Sequence, residues 1–192
     1  GSIKETGRPL DLALTDPYQF FQVMTAGSGN TAYTRDGAFY LQPDVNNPNE
    51  LNLVTKEGDF VVGENGPIQI PVDHQSISID SLGRIEVKNR NGQRVQVGQL
   101  ALAQIKRPQL LESIGGNKLA FPNLQALNLQ LTDVVQPVLG NQADVKQGSL
   151  EGSNVDLSKE MTDLISAQRA YEFNAQSVTI ADQTLQVINN IR

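Results

Sequence analysis

The sequence predicts a mainly β protein: a turn-rich antiparallel β domain, a sandwich or an open barrel, followed by one long C-terminal α-helix. Two observations carry this. Between Arg8 and Gln147, short runs of alternating apolar residues are separated by glycine, asparagine and aspartate clusters, at the spacing of roughly eight to twelve residues that hairpin-connected strands require. From Ser153 to Arg192 there is no glycine and no proline, although the chain holds 16 and 9 of them, and apolar residues recur there at helical spacing.

Residues 1–7 read as a linker led by Gly1 and Ser2, which resemble a scar of tag cleavage, so a natural N-terminal segment is expected to have been removed. The β domain is expected over 8–147, a glycine-punctuated hinge over 148–155, and the helix over 156–192. Leu10, Leu12 and Leu14 alternate with Asp11 and Ala13 as in a half-buried strand. Tyr18 to Met24 and Thr31 to Thr34 are the next strands. Arg35, Asp36 and Gly37 then read as a tight hairpin, the glycine supplying positive φ, with Ala38 to Leu41 returning.

The polar stretch Pro43 to Glu50 has the composition of a mobile loop. Lys56, Glu57 and Gly58 turn the chain between Leu51–Thr55 and Asp59–Val62, and Pro71 ends a further strand because it cannot donate to a ladder. The pairs Ile77 and Ile79, Ile85 and Val87, and Val95 and Val97 mark three strands joined by turns at Asp80–Gly83 and Asn89–Gly92. Leu100 to Ile105 is a continuous apolar strand. Pro108 to Ile114 reads as a short helical turn closed by Gly115 and Gly116.

Composition narrows function. The chain has 192 residues, enough for one domain plus an appendage. A formal charge of −6 disfavours nucleic acid and anionic membranes, since phosphate binding needs a basic face. Cysteine is absent, which removes disulfides and thiolate chemistry, and no apolar run approaches the roughly 18 residues that span a bilayer.

Catalytic constellations are poorly supported. His74 is the single histidine, so a zinc site or a Ser-His-Asp triad would rest on it alone, and it reads as a loop histidine beside Pro71. Gly27 to Asn30 lacks the lysine and hydroxyl residue of a phosphate loop. Carboxylate pairs for glycoside hydrolysis exist in Asp11 with Asp16, Glu57 with Asp59, and Asp80 with Glu86, but most fall at turns or outward positions, where solvated carboxylates are normal. No calcium loop is present. No catalytic, cofactor or metal residue is assigned.

The helix carries the strongest signal. Asp156 is placed to cap it. Leu157, Leu164, Ala167, Tyr171, Val178, Ala181, Leu185 and Ile188 follow a 3,4 rhythm on which Glu160 and Asn174 are the polar positions, and Met161, Ile165 and Ala175 widen the track. At about 1.5 Å per residue the helix runs roughly 50 Å. Burying one large aliphatic side chain is worth about 1.5 to 3 kcal/mol, so such a track calls for a partner. The expected assembly interface is Leu157, Met161, Leu164, Ile165, Ala167, Tyr171, Asn174, Val178, Ala181, Leu185 and Ile188.

The residues also carry a family resemblance. GSLEGSNVDLSKEMTDLISAQRAYEFNAQSVTIADQTLQVINNIR, from Gly148 to Arg192, resembles the C-terminal signature of bacterial flagellar rod and hook proteins. RPLDLAL, YTRDGAF at Tyr33–Phe39, VTKEGDFVVGENGPIQIP at Val54–Pro71, SISIDSLGRI at Ser76–Ile85 and VGQLALAQI at Val97–Ile105 resemble the central region of the distal-rod family in its order.

The resemblance implies a structural, non-enzymatic subunit of the flagellar basal body, exported by the flagellar type III apparatus and stacked into a hollow axial tube. It implies pairing of N-terminal and C-terminal helices in an inner coiled-coil layer, with the β domain outside. The implied partners are the protein itself and other rod and hook proteins. No cofactor, nucleic acid or membrane insertion is implied. The single small β region resembles rod more than hook proteins, although the stretch RPLDLALTDPYQFF and the loop PDVNNPNE depart from the family pattern. The alternative is an envelope glycan-binding or hydrolysing module working through carboxylates such as Asp11 and Glu57.

Overall fold

A computed structural model describes residues 1–138, 142–152 and 157–190, with side chains of the final helix described at 159–180 and 183. Backbone contacts divide the chain into two units, Gly1–Gly152 and Ser153–Arg192. The first is antiparallel β. Its strands are β1 (Ile3–Glu5), β2 (Leu12–Leu14), β3 (Gln19–Met24), β4 (Thr31–Thr34), β5 (Tyr40–Pro43), β6 (Glu50–Val54), β7 (Phe60–Gly63), β8 (Gly66–Pro67) and β9 (Gln69–Pro71). Then come β10 (His74–Ile79), β11 (Arg84–Asn89), β12 (Arg94–Gln99), β13 (Leu102–Ile105), β14 (Glu112–Gly115) and β15 (Lys118–Ala120). After the one-turn helix α1 (Leu131–Val134) follow β16 (Val135–Pro137), β17 (Val145–Gln147) and β18 (Ser149–Glu151).

The large sheet runs β14-β15-β4-β3-β7-β6-β5, extended by β13 on β3, β8 on β7, β9 on β6 and β16 on β13. A second sheet is β10-β11-β12, and two ribbons pair β17 with β2 and β1 with β18. The described sheets do not close into a barrel. Phe21, Val23, Leu53 and Val61 of the large sheet meet Ile79, Ile85 and Val87 of the smaller one in one core, the packing of a sandwich. Phe21 and Phe39 meet edge to face at its centre, with ring centroids 5.1 Å apart. On the other side of β3, Phe20 joins Tyr33, Ala103 and Ile105 in a second cluster. The run Phe20-Phe21 is therefore buried on both faces.

The β10-β11-β12 sheet has the predicted turns, with Gly83 and Gly92 at φ of 76° and 81°. Other expectations are corrected. β2 is not half-buried: Leu12, Ala13 and Leu14 are all enclosed, because β2 pairs with β17 on one side while Leu12 N–H donates to the Gly37 carbonyl on the other. β4 and β5 do not form a hairpin, since β4 pairs with β3 and β15 and β5 with β6. Gly37 is required for space, not for positive φ: a Cβ there would stand 1.8 Å from the Leu12 carbonyl oxygen.

Only Pro108–Leu110 is helical in the predicted turn, and Glu112 onward forms the β14–β15 hairpin. Pro43–Glu50 is tied down by Asp44, whose carboxylate accepts from the Asn46 and Asn47 amides, Asn52 Nδ2 and Gln69 Nε2. His74 begins β10, with Nδ1 2.6 Å from the Pro71 carbonyl oxygen. Residues 3–5 and 149–151, in the expected linker and hinge, form the β1–β18 ribbon.

Candidate assembly surface

The YTRDGAF stretch ties the β unit to the strand that precedes the helical segment. Arg35 leaves β4 with its guanidinium turned inward. Its Nη1 donates to the carbonyls of Asp16 at 2.9 Å and Gln19 at 2.7 Å, and Nη2 donates to that of Leu14 at 3.2 Å. Its Nε donates to Glu151 Oε2 at 2.7 Å, and its Cζ lies over the Phe20 ring, 5.6 Å from the centroid. A planar fork of donors suits such a node better than a lysine would. Burial raises the Glu151 carboxyl pKa, but the Arg35 hydrogen bond and charge, with the Gly1 amino group, outweigh it and hold the pKa below the usual value.

Neighbouring motif residues are equally structural. Asp36 accepts from the Ala38 amide and from Asn117 Nδ2, and the Thr34 hydroxyl donates to the Asn117 carbonyl. At the ribbon, Gly148 has φ of 70°, and its carbonyl accepts from the Thr6 and Gly7 amides. The pairing of Ile3 with Glu151 brings the Gly152 amide 2.8 Å from the Ser2 carbonyl oxygen. The first and last residues of the β unit therefore lie side by side.

The candidate carboxylate pairs are dismantled by packing. Asp11 and Asp59 are 4% and 2% exposed, not solvated as predicted. Asp11 receives Arg8, Asp59 receives Lys118 Nζ, and Asp80 receives Arg84, so each pair has one member neutralised by a cation. Among the described residues, no group of three or more His, Cys, Asp or Glu could hold a metal ion.

The helix α2 spans Leu157–Asn190. On the predicted track, Leu164, Tyr171 and Val178 are 69%, 75% and 62% exposed, and Met161, Ile165, Ala167 and Asn174 are exposed with them. The helix passes through Leu157, Ala181, Leu185 and Ile188, whose side chains lie outside the described residues, as does the predicted cap Asp156. No described helix is long and apolar enough to cross a membrane.

A second track was missed by the periodicity. Phe173 and Ile180 are 70% and 62% exposed. At about 100° per residue, Phe173 lies some 200° from Tyr171, on the opposite side. Ser166, Ala170, Phe173, Ser177 and Ile180 repeat the same 3,4 spacing. The Ser166 and Ser177 hydroxyls donate to the Thr162 and Phe173 carbonyls, so their polarity is satisfied within the helix. A heptad count begun one residue earlier, at position 163 instead of 164, exposes this track in the sequence.

Two family models match parts of this chain. Residues 18–87 match the family described as flagellar hook protein FlgE/F/G D1 domain, and residues 146–191 match the flagellar basal body rod FlgEFG protein C-terminal family. The flagellar hook-basal body complex protein FlhP of Bacillus subtilis is 42% identical over 193 residues, covering 100% of this chain and 68% of its own length. The flagellar basal-body rod protein FlgG of the same organism is 38% identical, covering 98% of this chain and 67% of its own. FlgG of Agrobacterium fabrum is 37% identical with the same coverage. The chain spans about two thirds of these relatives, whose family is not known to be enzymatic. With β unit and helix both matched, this chain belongs to the flagellar basal-body rod protein family and is a structural component of the flagellar basal body.

Proposed function

We propose that this protein self-assembles into the helical, hollow axial tube of the rod through coiled-coil packing of its C-terminal helix, with the β domain, residues 8–147, forming the outer body and the helix, residues 156–192, the inner layer. One observation carries the reading: apolar side chains stand exposed on two opposite sides of α2. At about 1.5 to 3 kcal/mol for each large side chain buried, covering Leu164, Tyr171 and Val178 on one side and Phe173 on the other supplies a driving force on the scale of a domain's stability. A helix covered on one side only fits a dimer. One covered on two sides fits a continuous layer of neighbours.

Its partners in this reading are further copies of itself and other rod and hook proteins, and it reaches the rod through the flagellar type III export apparatus. Deleting the full-length gene and restoring it with or without residues 156–192 tests this. Basal bodies lacking the rod, rescued only when the helix is present, are the expected result. Basal bodies that assemble normally without the helix overturn it.

A further inference from the structure

A second interaction surface lies on the β10-β11-β12 sheet. Its register sets Ser76 opposite Lys88 and Lys88 opposite Arg94, so a hydroxyl, an ammonium and a guanidinium form one row across three strands. All three residues are exposed, as is Arg90 in the connecting turn. Like charges facing each other across strands destabilise a sheet. Arg8, Arg35, Lys56, Arg84, Lys118 and Lys146 all have carboxylate partners, whereas Lys88, Arg90 and Arg94 form no ion pair among the described residues. Glu86 lies in the next row, opposite Ser78 and Gln96, one half-buried carboxylate against three cations.

The complementary surface is on the same chain. A groove of about 470 Å³ is lined by Asn47, Asn49, Glu50, Pro71, Val72 and Asp73. Pro71 and the 44% exposed Val72 give it an apolar wall, and neither Glu50 nor Asp73 is ion-paired among the described residues. Such a groove suits lysine and arginine, whose aliphatic stems pack on apolar surface while the charged ends meet carboxylates.

We propose that the Ser76–Lys88–Arg94 row, with Arg90, docks in the Glu50–Asp73 groove of a second copy of this chain. This rests on the self-assembly reading and adds a lateral contact between β units. A net charge of −6 opposes a polyanion and a second copy alike at long range, but only a second copy presents both halves of the match at contact. Because the two surfaces are different residues, the contact is heterologous and repeats from copy to copy.

Sedimentation at about 0.01 M and about 0.15 M salt, where screening differs threefold to fourfold in length, reads the contact. Lys88→Glu with Arg94→Glu, and separately Glu50→Lys with Asp73→Lys, are each expected to weaken association roughly tenfold at low salt, and mixing the two variants restores it. Melting curves check that each variant folds, and Asp73→Lys alone replaces the second pair if Glu50→Lys does not. Unchanged association in Lys88→Glu/Arg94→Glu, failure of the mixture, or wild-type association indifferent to salt overturns the proposal. So does a variant that loses binding to polyglutamate while self-association persists. Tyr171→Asp run alongside separates the levels: if it abolishes association and the charge variants do not, the helix reading stands and this contact falls.

Discussion

Arg35 Nη2 lies 2.6 Å from Glu151 Oε2, joining the end of β4 to the last residue of β18, one residue before the β unit ends. Both side chains are about one-fifth exposed. The guanidinium also satisfies the Leu14, Asp16 and Gln19 carbonyls, so its removal leaves several acceptors unpaired. Arg35→Ala is expected to cost about 3 kcal/mol. Glu151→Gln, which keeps the shape and part of the hydrogen bonding, costs about 1 kcal/mol after allowance for solvent screening. Urea unfolding of the full chain measures both; equal losses would mean that the carboxylate, not the carbonyl cluster, is what Arg35 secures.

Acid should loosen the β unit through a small set of carboxylates. Burial raises the pKa of Asp59, Asp80 and Glu151, but Lys118 with the Ala26 amide, Arg84, and Arg35 respectively outweigh it, so all three are held below their usual values. A carboxylate whose folded pKa is depressed stabilises fully above its unfolded pKa, and that contribution is lost as pH falls through the folded value. Stability is therefore expected to be flat above about pH 5 and to fall below about pH 4. Lys118→Met should reverse part of this. It strands Asp59, 2% exposed, without its cation, so the loss is greatest at neutral pH and narrows on acidification. A loss that widens toward acid would contradict the assignment.

Gly37→Ala is expected to destabilise by about 3 kcal/mol, because the new methyl would overlap the Leu12 carbonyl and press on Phe21 Cε2, 3.2 Å away. Gly92→Ala serves as the comparison. Gly92 has φ of 81° but open space around it, so its cost is the left-handed backbone alone, about 1 kcal/mol. Similar values for the two would show that the surroundings of Gly37 give way, so that space does not govern it.

These contrasts mark what was legible in the sequence. Ile77 with Ile79 and Ile85 with Val87 announced their strands because neighbouring strands joined by tight turns leave a local alternation. β3 carried Phe20 and Phe21 side by side, which alternation alone cannot assign to two cores. The β1–β18 ribbon joins opposite ends of the unit, and no local pattern encodes that pairing. Asp11 and Asp59 read as solvated because composition does not show their burial, nor the cation that packing brings to Asp59 from Lys118, whereas the Arg8 partner of Asp11 lies only three residues away. On α2 the exposed track through Leu164, Tyr171 and Val178 was legible from its period. Phe173 was not, since a helix apolar on two sides partly cancels its own amphipathic signal.

That two-sided character gives the last prediction. Tyr171→Asp and Phe173→Asp place a charge on opposite sides of one helix, at residues 75% and 70% exposed. If α2 is covered on both sides in the rod, each substitution alone should abolish motility in a complemented deletion strain and remove rods from isolated basal bodies. Each should leave the melting of the β unit unchanged, because both positions belong to the other contact unit. Glu172→Ala tests whether position along the helix matters apart from apolarity: it breaks a bond from Gln168 that is worth only a few tenths of a kcal/mol, and motility should survive. Motility retained in Phe173→Asp but lost in Tyr171→Asp would assign the helix a single packed side, and the tube would then have to be held by contacts elsewhere on the subunit.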